Sequence, residues 1–266
     1  MSEPFFDLRA THNPHRWYLP LTDALCVGPP QNKFMFGGVG LGAAIAAMER
    51  TCERPVIWAT AQYLSYARPP SVVDFDVWVP AHGRHNSQAR VIGHVGDKEI
   101  LTVNAALGSR PSETSQQWLI APDVPPPMDC PAADHWRGDD DLHRHLDVRV
   151  AKGRYGAAQV AAGEEDGRLI LWLKPAADLP IDSSMLAIMA DHVPSGVGNA
   201  LGLHAGGNSL DNTIRFVRMV PTEWVLCEVR INGIHGGFGH GSMYLFAQTG
   251  ELIATASQSM IVRVHE

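Results

Sequence analysis

The stretch that most constrains this chain runs from residue 37 to residue 51. Gly37, Gly38, Gly40 and Gly42 alternate there with Val39, Leu41, Ala43, Ala44, Ile45, Ala46, Ala47 and Met48, and its charged residues, Glu49 and Arg50, come only at the end. A helix that is apolar nearly all round has no face to offer water and must be buried. Glycines are poor helix formers, so their presence predicts that another element packs directly against this backbone. The stretch reads as an ordinary core helix or, more sharply, as a central helix wrapped by a curved sheet, which the segments that follow can form. Residues 73–79 place Val73, Phe75, Val77 and Val79 at alternate positions, the period of a half-buried strand. Residues 87–95 and 99–107 read as two more strands around Gly96-Asp97. Residues 56–68 read as a preceding strand ending at Arg68-Pro69-Pro70.

The order then repeats. Residues 184–201 contain Met185-Leu186-Ala187-Ile188-Met189-Ala190, a second apolar helix that Pro194 breaks or kinks. Residues 210–219 read as a strand. Val225, Cys227, Val229 and Ile231 alternate with Leu226, Glu228 and Arg230, and residues 241–247 and 251–262 form a closing hairpin around Thr249-Gly250. Tyr66-Ala67-Arg68-Pro69 matches Phe216-Val217-Arg218-Met219, and Glu99-Ile100-Leu101 matches Glu251-Leu252-Ile253, at offsets of 150 and 152 residues. A helix followed by antiparallel strands, occurring twice, predicts a duplication. Two such sheets can join edge to edge and remove each other's open edges. Between them, six of the 19 prolines fall from Pro111 to Pro131. Proline fixes φ and lacks an N–H, so this run is neither helix interior nor central strand. The expected organisation is α+β: a module over 1–110, a proline-rich linker over 111–140, and a second module over 141–266, the two sheets forming one continuous sheet. Asp139-Asp140-Asp141 closes the linker as a solvated turn or a helix start.

Composition removes several function classes. Apolar residues make up 45% and charged residues 18% of the 266, which allows a real core and argues against disorder. A net charge of -7 leaves no basic excess for phosphate backbones, so nucleic acid is not an expected partner. No run reaches the roughly 18 apolar residues of a membrane helix. Met1-Ser2-Glu3-Pro4 lacks the basic and apolar regions of a secretory signal. Cys26, Cys52, Cys130 and Cys227 show neither C-x-x-C pairing nor regular spacing. The expectation is a cytoplasmic protein with reduced thiols and no membrane partner. Gly37-Gly38-Val39-Gly40 is not a dinucleotide fingerprint, because the proline-broken Val27-Gly28-Pro29-Pro30 ahead of it is no strand. Thirteen histidines include His235 and His240 in a glycine-rich segment. With neither H-E-x-x-H nor C-x-x-C present, no metal site is expected, whether from these two or from either with His192 or His204.

Six short segments follow one another in a fixed order. They are Phe36-Gly37-Gly38, Leu186-Ala187-Ile188-Met189-Ala190-Asp191, Ser209-Leu210-Asp211-Asn212, Phe216-Val217-Arg218, Glu223-Trp224-Val225-Leu226, and the stretch from Gly250 to Gln258. In that order and spacing they resemble the type II, TesB-like acyl-CoA thioesterases of the double hotdog fold. There F-G-G opens the first central helix, and S-L-D-H, F-H-R, E-W-L-L and G-x-L-V-A-S-x-x-Q mark the second half. The resemblance implies hydrolysis of acyl-CoA thioesters to free acid and CoA, with CoA present only as part of the substrate and no other cofactor. It also implies that an Asp, a Ser or Thr, and a Gln hold the attacking water. The Asp carries over to Asp211 and the Gln to Gln258, while the hydroxyl position falls on Asn232. The family's histidine ahead of the R-P pair has no counterpart in Ala61-Gln62-Tyr63-Leu64-Ser65.

Chemistry is compatible with such a site. A simple thiol has a pKa of about 8.5 and leaves with little acid assistance. What is needed is an oriented water, a base and donors for the oxyanion. Asp211 can take a proton, the Gln258 and Asn232 amides can donate and accept, and the N–H groups of Gly37 and Gly38 can hold an oxyanion at a helix start. His235 is a further candidate beside the substrate. Each residue also has a structural reading: Ser-Leu-Asp-Asn is good turn chemistry, Asn232-Gly233 is a turn signal, Gln258 falls in an expected strand, and the glycines suit close packing. Two alternatives keep the fold. One is a non-catalytic acyl or CoA-thioester binding protein, favoured by Asn232 standing where a hydroxyl would. The other is a hotdog enoyl-CoA hydratase or dehydratase. An exposed strand edge on each module predicts a homo-oligomer.

Overall fold

The computed structural model describes residues 5–133, 141–156, 166–177 and 179–265. The first half holds β1 (Arg9–Ala10), β2 (Arg16–Leu21), β3 (Cys26–Val27), β4 (Phe34–Met35), helix α1 (Gly37–Cys52), β5 (Val56–Tyr63), β6 (Ser71–His82), β7 (Asn86–Val95) and β8 (Lys98–Gly108). The second half holds β9 (Leu146–Lys152), β10 (Arg168–Pro175), α2 (Ser183–Ala190), α3 (Gly196–Leu201), β11 (Ala205–Ser209), β12 (Asp211–Phe216), β13 (Val225–His235), β14 (Phe238–Ala247) and β15 (Leu252–Val264). Pro194 sits in a single 3-10 turn, Val193–Ser195, between α2 and α3. Apart from the β3–β4 pair, the strands form one sheet in the order β1-β2-β6-β7-β8-β5-β12-β15-β14-β13-β10-β9, with β11 on the far end of β15. The halves join where β5 pairs antiparallel with β12. Each half of the sheet wraps an apolar helix, and the chain is a double hotdog. No helix among the described residues is long and apolar enough to cross a membrane.

The glycines of α1 are explained by α2. A Cβ on Gly38 would lie 2.8 Å from the Ile188 Cα, and one on Gly42 would lie 2.9 Å from the Ser184 carbonyl oxygen. The two helices therefore run antiparallel with their backbones in contact, and Val39, Leu41, Ile45 and Met48 fill the space around them, fully buried.

The duplication has a visible axis. On β5 and β12, Trp58 faces Arg215, Thr60 faces Thr213 and Gln62 faces Asp211, so each residue's mate lies 153 positions on (58 to 211, 60 to 213, 62 to 215). A pseudo-twofold passes between Thr60 and Thr213, whose hydroxyls are hydrogen-bonded at 2.7 Å. The same offset carries Leu64 and Ser65, which both donate to the Ile100 carbonyl, onto Val217 and Arg218, which both donate to that of Ile253. The contacts of Gly38 with Ile188 and Gly42 with Ser184 relate the helices at a shorter offset, 146 (38 to 184, 42 to 188). The second half spends the difference between its helix and its central strand, where α3 and β11 lie. The motif matches at 150 and 152 are thus out of register. Tyr66 corresponds to Met219 and Glu99 to Leu252, because strand hydrogen bonds rather than the similar turns set the alignment.

Two other expectations change. β5 stops at Tyr63, not at residue 68, because Leu64 and Ser65 turn their N–H groups to Ile100. Asn232-Gly233 is not a turn: β13 runs through it as a bulge, its register shifting between Ile231 and Gly233. The reversal comes at Gly236 and Gly237, whose φ values of 58° and 80° suit a hairpin turn that needs two left-handed residues. The proline-rich linker packs against the second half. Trp172 Nε1 donates to the Pro125 carbonyl at 3.0 Å, Gln117 bonds Gly250 and Leu252, and Cys130 and Val124 pack on the outer apolar face beside Trp172, Trp224 and Phe246. Asp141 caps a short helical turn by accepting from the His143 N–H at 3.0 Å; Asp139 and Asp140 lie outside the described residues.

Candidate active site

Helix α1 begins after Phe36, which offers no side-chain cap. Its first N–H groups need acceptors, and one comes from the other half of the chain. Asp191, the C-cap of α2, accepts from the Gly38 N–H through Oδ2 at 2.6 Å. Its other oxygen, Oδ1, accepts from the Gln258 side-chain amide and from Asn212 Nδ2 at 3.3 Å. Gln258 also donates to Ser209 Oγ at 3.2 Å. Asp191, Asn212 and Gln258 are all buried. Burial pushes the Asp191 carboxyl up to about 7, against the Gly38, Gln258 and Asn212 hydrogen bonds that pull it down. A carboxyl that titrates near neutrality is suited to proton transfer, and a shift of this kind inside a cleft marks a functional candidate.

Asp191 lies in the wall of a cleft of about 190 Å³ at the N-terminal end of α1. Gly37, Tyr63 and Ser209 share its polar side, and Met35, Phe36 and Leu101 its apolar side. The Tyr63 hydroxyl is buried and makes no hydrogen bond of full geometry, the Asn212 side chain being its polar neighbour. Burial, and then the neighbouring Asp191 charge, hold its phenol well above the ordinary tyrosine value.

The residues singled out from sequence fall in different places. Gly37 lines the cleft, but the Gly38 N–H is already occupied by Asp191. Gln258 stands one layer behind, bonded to Asp191. Asp211 accepts from the Ser259 N–H at 2.7 Å and so fastens the junction of β11 and β12 to β15, as its turn reading implied. Asn232 is exposed on the β13 bulge and accepts from Ser242 Oγ at 3.4 Å. Ile231 before it packs inward towards Gly196, so the strand's alternation turns Asn232 outward. His235 is exposed beside the hairpin turn. His192, by contrast, is buried and donates from Nδ1 to the Met189 carbonyl at 3.0 Å. Among the described residues no three His, Cys, Asp or Glu side chains group around a common point for a metal. Sequence reasoning gave Asp191 no role. The signal was present: a carboxylate closing an apolar helix sits at the wrong end of the helix dipole and needs donors from elsewhere.

The pseudo-twofold shows that this polar set exists once. By the strand offset, Asn212 corresponds to Ala59, Gln258 to Ala105 and Tyr63 to Phe216; by the helix offset, Asp191 corresponds to Ile45. The related position in the other half is apolar throughout.

Comparison with known proteins bears on the family and the fold. Residues 121–262 match the family model described as the acyl-CoA thioesterase C-terminal domain. A crystal structure of a putative thioesterase from Novosphingobium aromaticivorans is similar at 32% identity and a TM-score of 0.85, over 98% of this chain and 99% of that one. A hotdog-fold protein of unknown function from Alicyclobacillus acidocaldarius is similar at 18% identity and TM-score 0.85, over 98% and 97%. An acyl-CoA thioesterase II, TesB2, from Mycobacterium marinum is similar at 21% identity and TM-score 0.75, over 98% and 97%; these last two show the fold. A search of curated proteins finds no match.

Proposed function

We propose, from the premise that this chain belongs to the acyl-CoA thioesterase family, that it hydrolyses acyl-CoA to free acid and CoA with Asp191 as the general base. The observation that carries this reading is a buried carboxyl, held near neutrality, in the wall of the cleft at the start of α1. Asp191 takes a proton from water as the water oxygen bonds to the thioester carbonyl carbon. The tetrahedral intermediate then collapses, the C–S bond breaks, and its electron pair leaves with the CoA thiolate, whose ordinary pKa of about 8.5 makes it a fair leaving group. The proton on Asp191 returns to solvent or to the thiolate. Gln258 and Asn212 act as positioning residues: their donated hydrogen bonds aim the carboxylate and stabilise its charged form. The acyl chain packs on Met35, Phe36 and Leu101. Arg68, exposed and next in the chain to the lining Ala67, is the candidate partner for the CoA phosphates.

The test is thiol release from a panel of acyl-CoAs, short, long and aromatic, for wild type, Asp191→Asn and Asp211→Asn. Turnover abolished by the first variant and kept by the second supports this assignment. Turnover abolished only by Asp211→Asn returns the role to that residue. Saturable binding of every thioester without CoA release identifies an acyl-CoA binding protein instead.

A further inference from the structure

Building on that reading, we infer that the Tyr63 hydroxyl, with the Gly37 N–H, is the donor pair that receives the thioester carbonyl oxygen. Three buried polar atoms around Asp191 have no hydrogen-bond partner: Asn212 Oδ1, Gln258 Oε1 and the Tyr63 hydroxyl. The first two are acceptors and the tyrosine is the donor of the three; of the two acceptors, Asn212 interacts with the phenol, but not at full hydrogen-bond geometry. A buried group of this kind is uncommon in a folded protein and calls for an explanation.

Geometry supplies one. A Cβ on Gly37 would lie 3.0 Å from the Tyr63 hydroxyl oxygen and 2.8 Å from Asp191 Oδ2. The two oxygens therefore flank one glycine and are no more than about 6 Å apart, the sum of those distances. In this reading a water sits on the carboxylate and the carbonyl oxygen on the phenol, and a side chain on Gly37 would meet both oxygens. The Gly37 N–H is the first of α1, has no acceptor within its own helix and lies at the helix's positive end. It provides a second donor beside the tyrosine. The phenol, held well above its usual value by burial and by Asp191, stays protonated and donates throughout the working pH range.

The duplication separates function from packing at this position. The residue related to Tyr63 by the pseudo-twofold is Phe216, likewise the last residue of its central strand. The fold thus accepts an aromatic ring without a hydroxyl at the related corner of the other half. The oxygen appears only at the copy of the site that also carries Asp191, Asn212 and Gln258. Tyr63→Phe copies what the chain already does at residue 216 and should fold.

The deciding experiment compares wild type with Tyr63→Phe in two readouts. The first is kcat and KM on the best acyl-CoA of the panel. Removing one oxyanion donor lowers kcat by about 10²–10³-fold, while KM should move by less than about threefold because the donor acts mainly in the transition state. The second needs no turnover: the ¹³C carbonyl resonance of a bound ketone analogue of acyl-CoA, with a methylene between sulfur and carbonyl. Donation to the carbonyl shifts this signal downfield in wild type, and Tyr63→Phe should return it towards the free value with an unchanged melting temperature. A carbonyl shift that survives the substitution, or a kcat within about threefold of wild type, overturns the tyrosine's role and leaves the thioesterase reading intact. A wild type that neither binds the analogue nor releases CoA overturns both.

Discussion

Asp191 offers a quantitative test, because its charge state is linked to folding. Its carboxyl lies at about 7 in the native protein against an ordinary 3.8. Three pH units, at about 1.4 kcal/mol each, amount to roughly 4 kcal/mol of preference for the protonated form, taken as an upper bound. The folded state thus keeps a proton that the unfolded chain releases above pH 4. The associated stability is fully present below pH 4, falls as pH rises to 7 and is gone above it. Asp191→Asn removes the titration while keeping the shape of the side chain. Urea unfolding of both proteins from pH 4 to pH 8 should give a wild-type-minus-variant stability that declines by up to about 4 kcal/mol over that window, other carboxylates cancelling in the difference. If Asp191 is the base, kcat/KM of the wild type should rise with pH to a plateau, with an apparent pKa near 7, and the variant should lose that limb. A difference curve flat from pH 4 to pH 7, or an activity limb close to 4, would refute the argument that burial dominates this carboxyl.

Other outcomes follow from particular contacts. Asn232→Ala should retain wild-type kcat and KM in the thiol-release assay, since the side chain is exposed and bonded only weakly, to Ser242. Gly42→Ala should cost about 1–3 kcal/mol in urea unfolding, the usual penalty of overpacking, because the new methyl meets the Ser184 carbonyl of α2 at 2.9 Å; an unchanged or raised stability would mean that the helices can move apart. Glu228 is buried and bridges Arg168 and Arg230 at 2.6 and 2.8 Å. Glu228→Gln should lower stability by about 1–3 kcal/mol, less than a fully buried pair because both arginines reach solvent, and kcat should not change.

What was legible in the sequence was whatever depends on local pattern. Apolar periodicity located both central helices and most strands, glycines at 38 and 42 announced a helix packed on a backbone, and the second occurrence of helix and strands announced the duplication. The order of short motifs pointed to the double hotdog thioesterases, the family to which the chain belongs. Gln258 was picked out and does stand in the polar cluster. What the sequence could not carry was which side chains converge. Asp211 and Asn232 have the right residue types near the right motifs, yet one is used by the Ser259 N–H and the other is turned to solvent by a bulge. Asp191, Tyr63 and Gly37 come from three elements spread over more than half the chain. They meet only because α1 and α2 pack antiparallel, and because β5 and β12 join the two sheets about Thr60 and Thr213. A pattern within a segment reports which face of it is buried; the partner that the face meets, and the charge it must satisfy there, are set by packing between segments. The shift of Asp191 and the single polar site in a duplicated fold are both properties of that packing.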